Sequence, residues 1–196
     1  MEELLYDWFG LNEWLFSILY MLNFAALDSI WHIGSYAYSY WAVTGMIAAI
    51  CFQYMRIRHT ATDQQLESMS RFLVSLIAAF TVVWCTTYTL QNITAMPRPW
   101  TVLPDMVSVQ STFLSHEGLP ASAPAISIML ACLAWKHVGS IARLWLTIYA
   151  GAGCLLSVVS GVNWPVEVAA GAALGWISAK IGQTYFSHAR RISITQ

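Results

Sequence analysis

The succession of long apolar segments is what most limits the folds open to this chain. Several approach the roughly 20 mainly apolar residues that cross a hydrocarbon core of about 30 Å. The candidate spans are Leu15 to Ile33, Trp41 to Met55, Phe72 to Leu90, Pro120 to Trp135, Leu144 to Ser160 and Pro165 to Ile181. With 58% hydrophobic and only 10% charged residues, the chain lies far from a soluble average. It reads as an all-α polytopic membrane helical bundle with five to six transmembrane helices, one domain across 196 residues. Residues 1–40 then hold a polar first span or an interfacial helix, 41–183 the core bundle with an outward loop at 91–120, and 184–196 a cytoplasmic tail.

The polar interruptions sharpen this outline. Asn23, Asp28 and His32 break the first apolar stretch, and Asp28 and His32, four apart, share a helix face and can pair. Pro97, Pro99 and Pro104 forbid a continuous helix through the long connection from Gln91 to Gly118. Pro120 and Pro124 are tolerable in the first turns of the next helix. Gly171 and Gly175 make a small-residue face that lets a neighbouring helix come close. Cys51, Cys85, Cys132 and Cys154 each sit within an apolar segment and read as small buried hydrophobes, so neither a disulfide framework nor a metal is expected. A net charge of −1 and the lack of a Gly-rich phosphate loop give nucleic acid and nucleotides no obvious purchase. Glu2, Glu3 and Asp7 replace the positive start of a cleavable signal, so the N-terminus is expected to be mature chain.

Basic residues orient the bundle. Arg56, Arg58, Arg71, Lys136, Arg143, Lys180, Arg190 and Arg191 fall on one side, eight of the nine Lys and Arg residues, and only Arg98 falls on the other. The positive-inside bias puts the eight in the cytoplasm, so the 91–120 loop and the 157–167 turn face outward together, in a bacterial inner membrane.

That outward face gathers Gln91, Arg98, His116, Glu117, Ser122, Ser157, Ser160, Asn163 and Glu167. Arg98 is a guanidinium whose fork suits a phosphate or carboxylate. The helix starting near Pro120 presents backbone N–H groups to an anion. An ionised Glu167 at the mouth of an apolar helix needs a cavity or a polar partner. A site for a phosphorylated lipid headgroup is the natural hypothesis, against an arginine that merely snorkels to water. No cofactor is expected.

The spacing resembles the type 2 phosphatidic acid phosphatase superfamily of membrane lipid phosphate phosphatases. That family's Lys, six residues, Arg-Pro corresponds to Gln91, six residues, Arg98-Pro99; its Pro-Ser-Gly-His corresponds to Pro120-Ala121-Ser122-Ala123. Its Ser-Arg, five residues, His, three residues, Asp corresponds to Leu156-Ser157, Asn163 and Glu167. Gly161-Val162-Asn163-Trp164-Pro165 and Glu167-Val168-Ala169-Ala170-Gly171 look like the family's Gly-Val-His-Tyr-Pro and Asp-Val-Leu-Ala-Gly, and the Asn23 to Asp28 stretch resembles its N-terminal region. The resemblance implies a phosphate held by Lys and Arg, attacked by a His that an acid orients, with a second His protonating the leaving alkoxide.

The matching positions carry different chemistry. Asn163 stands for the nucleophile, Ala123 for the acid, Gln91 for the Lys and Ser157 for the second Arg, while Arg98 and Glu167 keep their type. An amide nitrogen does not attack phosphorus and alanine donates no proton. One reading is a degenerate phosphatase-like protein that binds a phosphorylated lipid, through Arg98, Gln91, Ser122, Ser157 and Asn163, or a membrane-protein partner. The alternative is an active lipid phosphatase or phosphotransferase, acting on a polyprenyl diphosphate or phosphatidate-type substrate through His116, Glu117 and Glu167. A purely structural subunit, its cleft plugged by Trp100 and Trp164, is the third.

Overall fold

In the computed structural model, residues 10–22, 40–57, 59–60, 62–94, 96–103 and 119–194 are described, with side chains followed as far as Thr184. Among these residues the chain is all-helical: α1 (Leu11–Tyr20), α2 (Tyr40–Ile57), α3 (Asp63–Thr94), the single turn α4 (Pro99–Val102), α5 (Ser122–Ala134), α6 (Ser140–Val159) and α7 (Pro165–Ile194). The expected spans at 41–55, 72–90 and 165–181 each lie within one helix, and that at 144–160 passes the end of its helix by one residue, Ser160. Residues 28, 32, 116 and 117 lie outside the described residues, and with them the Asp28–His32 pair and the His116–Glu117 arrangement.

Helix lengths depart from the apolar runs in both directions. α3 has 32 residues, about 48 Å at the usual rise. Its polar first turns, which no apolar run announces, are held by Thr62 and Gln65 bonding each other across the helix start and by a Glu67–Arg71 ion pair one turn apart. α7 likewise continues past Gln183 to Ile194. α5 is shorter than expected, 13 residues or about 20 Å, because Trp135 to Gly139 form a turn. α3 and α6 carry stretches long and apolar enough to cross a membrane.

α5 and α7 form the centre and run parallel, since Ala121 opposes Gly171 and Ala125 opposes Gly175. α3 runs antiparallel to α7, with Ser75 opposite Gly182. Spacings of four and seven residues keep the three glycines close to one helix face. The approach uses their missing side chains fully: a Cβ on Gly171 would lie 2.3 Å from the Ala121 carbonyl oxygen, one on Gly175 2.2 Å from that of Ala125, and one on Gly182 2.5 Å from that of Ser75. Around this seam Val43, Leu76, Ala79, Val83, Ile126, Met129 and Leu133 close a core drawn from α2, α3 and α5. All four cysteines are free thiols; against the expectation of burial, Cys51, Cys132 and Cys154 are half-buried and Cys85 is exposed on α3, which packs its Val83 and Thr87 inward instead.

Because the opposing atoms are backbone, they cannot swing aside as a side chain would. Gly175→Leu is expected to destabilise the purified protein by about 2 kcal/mol or more, measured as a lower thermal midpoint in detergent. An unchanged midpoint would contradict the seam described here.

Candidate functional site

The site forms where the segment before α4, the end of α6 and the start of α7 meet. Met96, Pro97 and Arg98 are non-helical, as prolines on both sides of Arg98 require. Arg98 is extended (φ −77°, ψ 156°) and caps α4, its carbonyl accepting from the Thr101 hydroxyl at 2.7 Å and the Thr101 N–H at 3.0 Å. Opposite it, α6 ends at Val159 and Gly161 turns the chain at φ 74°, a left-handed conformation glycine adopts without penalty. The Asn163 N–H then returns to the Ser157 carbonyl at 2.9 Å.

Pro165 opens α7, and Glu167 two residues on bends back to accept the Trp164 N–H at 2.9 Å through Oε2. This is one half of a capping box, in which a first-turn acid satisfies the N–H of the residue before the helix. A carboxylate there also suits the positive end of the helix dipole. The next exposed donor, Val166 N–H, is taken by Asn12 Oδ1 of α1 at 3.1 Å, across 154 positions of sequence. Glu167 thus has a structural reason before any catalytic one.

Arg98 joins the two sides. Its Nη1 donates to the Val162 carbonyl at 2.9 Å, to Asn163 Oδ1, and to Glu167 Oε2 at 3.2 Å. Arg98 is 5% exposed, Asn163 6% and Glu167 0%, so the cluster is shielded from solvent. The Arg98 guanidinium also lies 5.6 Å from the centre of the Trp100 ring, a cation–π distance. Trp164, fully buried, donates its indole N–H to the Pro97 carbonyl at 2.8 Å and packs against Phe16 at 5.0 Å between ring centres. An arginine that snorkels to open water is excluded by this burial.

Of the polar positions expected to share the site, Arg98, Asn163 and Glu167 are in direct contact. Ser157 joins through its backbone, while its hydroxyl bonds the Cys154 carbonyl at 2.9 Å within α6. Gln91 is a half-buried tether, its amide donating to the Pro120 carbonyl at 2.9 Å and fastening α3 to the start of α5. Ser122 opens α5, and the adjacent Ala121 N–H bonds the Glu167 carbonyl at 3.0 Å. Asn12 is the positioning group that sequence reasoning missed, and Trp164, read there as a plug of the cleft, is a second. The signal for Asn12 was an amide at the start of the mainly apolar helix Leu11–Tyr20, beside Glu13. Among the described residues no group of three or more His, Cys, Asp or Glu gathers as metal ligands.

Asn12 is 1% exposed, so its loss leaves a buried N–H without its acceptor. Asn12→Ala is expected to lower stability by about 1–3 kcal/mol, read from equilibrium unfolding in mixed micelles. A variant as stable as the parent would remove α1 from the support of this site.

No family model and no curated protein matches the chain. Among solved structures, the crystal structure of Aquifex aeolicus LpxE matches with a TM-score of 0.71 at 20% identity, covering 89% of this chain and 96% of that one. The helical-bundle fold implied by the lipid phosphate phosphatase resemblance is therefore the fold observed, and the chain has the fold of LpxE over most of its length.

Proposed function

We propose that this chain is an integral membrane protein that uses a lipid phosphatase-like bundle to hold a phosphorylated lipid headgroup at Arg98 without hydrolysing it by the histidine mechanism. One observation carries the reading: Asn163, at the position of the attacking His, spends its side-chain oxygen on Arg98. An amide in that place accepts a hydrogen bond but forms no bond to phosphorus. Glu167, which would orient the missing His, is committed to Trp164 and Arg98 instead. A headgroup phosphate reaching Arg98 competes with this carboxylate for the guanidinium, an exchange of one oxyanion for another.

Membrane residence is supported by the outward faces of the helices. Trp41, Phe52, Trp84, Ile141 and Trp145 are each more than half exposed, an apolar surface suited to lipid and unsuited to water. The distribution of Lys and Arg favours an inner-membrane orientation with Arg98 outward. A second reading, a structural subunit or a scaffold for a membrane-protein partner, is favoured by the complete burial of Trp164 beside Arg98.

Phosphate release from phosphatidate and from polyprenyl diphosphate by the purified protein tests the proposal. No release above the protein-free control is expected, together with phosphatidate retention that falls in Arg98→Gln. Turnover by the parent that disappears in Glu167→Ala would overturn it, and retention unaffected by Arg98→Gln would favour the structural reading.

A further inference from the structure

The end of the bundle away from Arg98 holds a cavity of about 450 Å³ between the last turns of α5 and the middle turns of α6 and α7. That volume is within the range of small-molecule sites, about 300–1,000 Å³. Its wall is apolar and small-residued, with Ile128 and Ala131 on one side and Ala150 and Gly151 on another. The one amide in it, Gln183, donates to the Cys132 carbonyl at 3.1 Å, so the interior offers little to a polar ligand.

The rim is different. Trp135 and Trp176 stand there 44% and 53% exposed, flanked by Lys136 and Lys180. The Lys180 ammonium lies 5.7 Å from the centre of the Trp176 ring, and the Arg143 guanidinium 5.7 Å from that of Trp135. No carboxylate lines the cavity, and among the described residues no Asp or Glu pairs with Lys136 or Lys180. An apolar trough with two ammonium groups and two indoles at its mouth, and no carboxylate in its lining, matches an amphiphile with an anionic head. Tryptophan and lysine at such a depth favour the headgroup boundary.

We infer that this groove is a second lipid site, distinct from Arg98, that seats one acyl chain of an anionic phospholipid between α5, α6 and α7 with its phosphate on Lys136 and Lys180. Charge decides against a second copy of the chain as occupant, because self-association through this face would bring like ammonium groups together. A free phosphate would meet the lysines and leave the apolar trough unfilled. The inference needs the membrane placement proposed above, and it does not depend on what happens at Arg98.

The test uses the full chain in detergent, with bound lipid counted by native mass spectrometry after equimolar addition of phosphatidylglycerol and phosphatidylcholine. The parent is expected to retain phosphatidylglycerol preferentially, and Lys136→Gln/Lys180→Gln to reduce that preference by about tenfold, in line with the attraction of a pair of basic groups for an anionic headgroup. Gly151→Phe provides a variant that keeps the charges: Gly151 lines the groove, and a Cβ there meets no atom within 4 Å, so the helix backbone has room for a side chain at this position. It is expected to abolish retention of both lipids at this site while leaving the thermal midpoint in place. Equal retention of the two lipids by the parent, a preference that survives the lysine substitutions, or a lipid count that Gly151→Phe leaves unchanged would each overturn the site. So would cross-linking through Trp176→Cys that shows the groove buried between two copies. Binding at Arg98 is read separately, as the phosphatidate that the parent retains and Arg98→Gln loses, so failure here and failure of the Arg98 proposal are distinguishable.

Discussion

The buried contact of Arg98 with Glu167 holds the candidate site of this bundle together. The two side chains are 6% and 0% exposed and belong to segments 69 positions apart. Removing two charges from water is unfavourable in itself, and their attraction repays this only when further hydrogen bonds complete the geometry. Those bonds are present: Arg98 also reaches the Val162 carbonyl and the Asn163 amide, and Glu167 also accepts the Trp164 N–H. One ion pair therefore fixes the Pro97–Pro99 segment, the turn after α6 and the first turn of α7 at once.

The same economy bears on function. The phosphatase resemblance of the sequence implies an arginine that faces the phosphate and an acid that faces a histidine. Here Arg98 bonds Glu167 directly and the Asn163 amide oxygen beside it, so the two charged groups neutralise each other. Trp100 on one side and Trp164 on the other add a ring and an indole bond to the same enclosure. The glycine seam supports this arrangement from below, because Gly171 against Ala121 brings the start of α5 to within a hydrogen bond of Glu167's own carbonyl.

Much of this was legible in the amino-acid sequence, and what was not has definite causes. The spans were announced by apolar runs, the break near Arg98 by its prolines, and the close helix approach by Gly171 and Gly175. The Trp164-Pro165-Val166-Glu167 run carries its own cap, since an acid at the third helical position is a local pattern. The full reach of α3 was hidden because a helix propagates through Gln64, Glu67 and Arg71 without any apolar signal. Asn12 could not be placed because its partner, Val166, is 154 positions away and a tertiary contact leaves no periodicity. Gln91 was placed correctly at a helix end, but its amide turned to a backbone carbonyl that sequence does not display.

A double-mutant cycle on Arg98 and Glu167 tests the central claim most directly. Arg98→Met, Glu167→Met and the pair together would be compared by equilibrium unfolding in mixed micelles. Each single change leaves one charge buried without its counter-ion and is expected to remove about 3–5 kcal/mol. The double change removes both charges and is expected to fall well short of the sum, with a coupling of about 2 kcal/mol or more. Additive effects of the two substitutions would contradict the account.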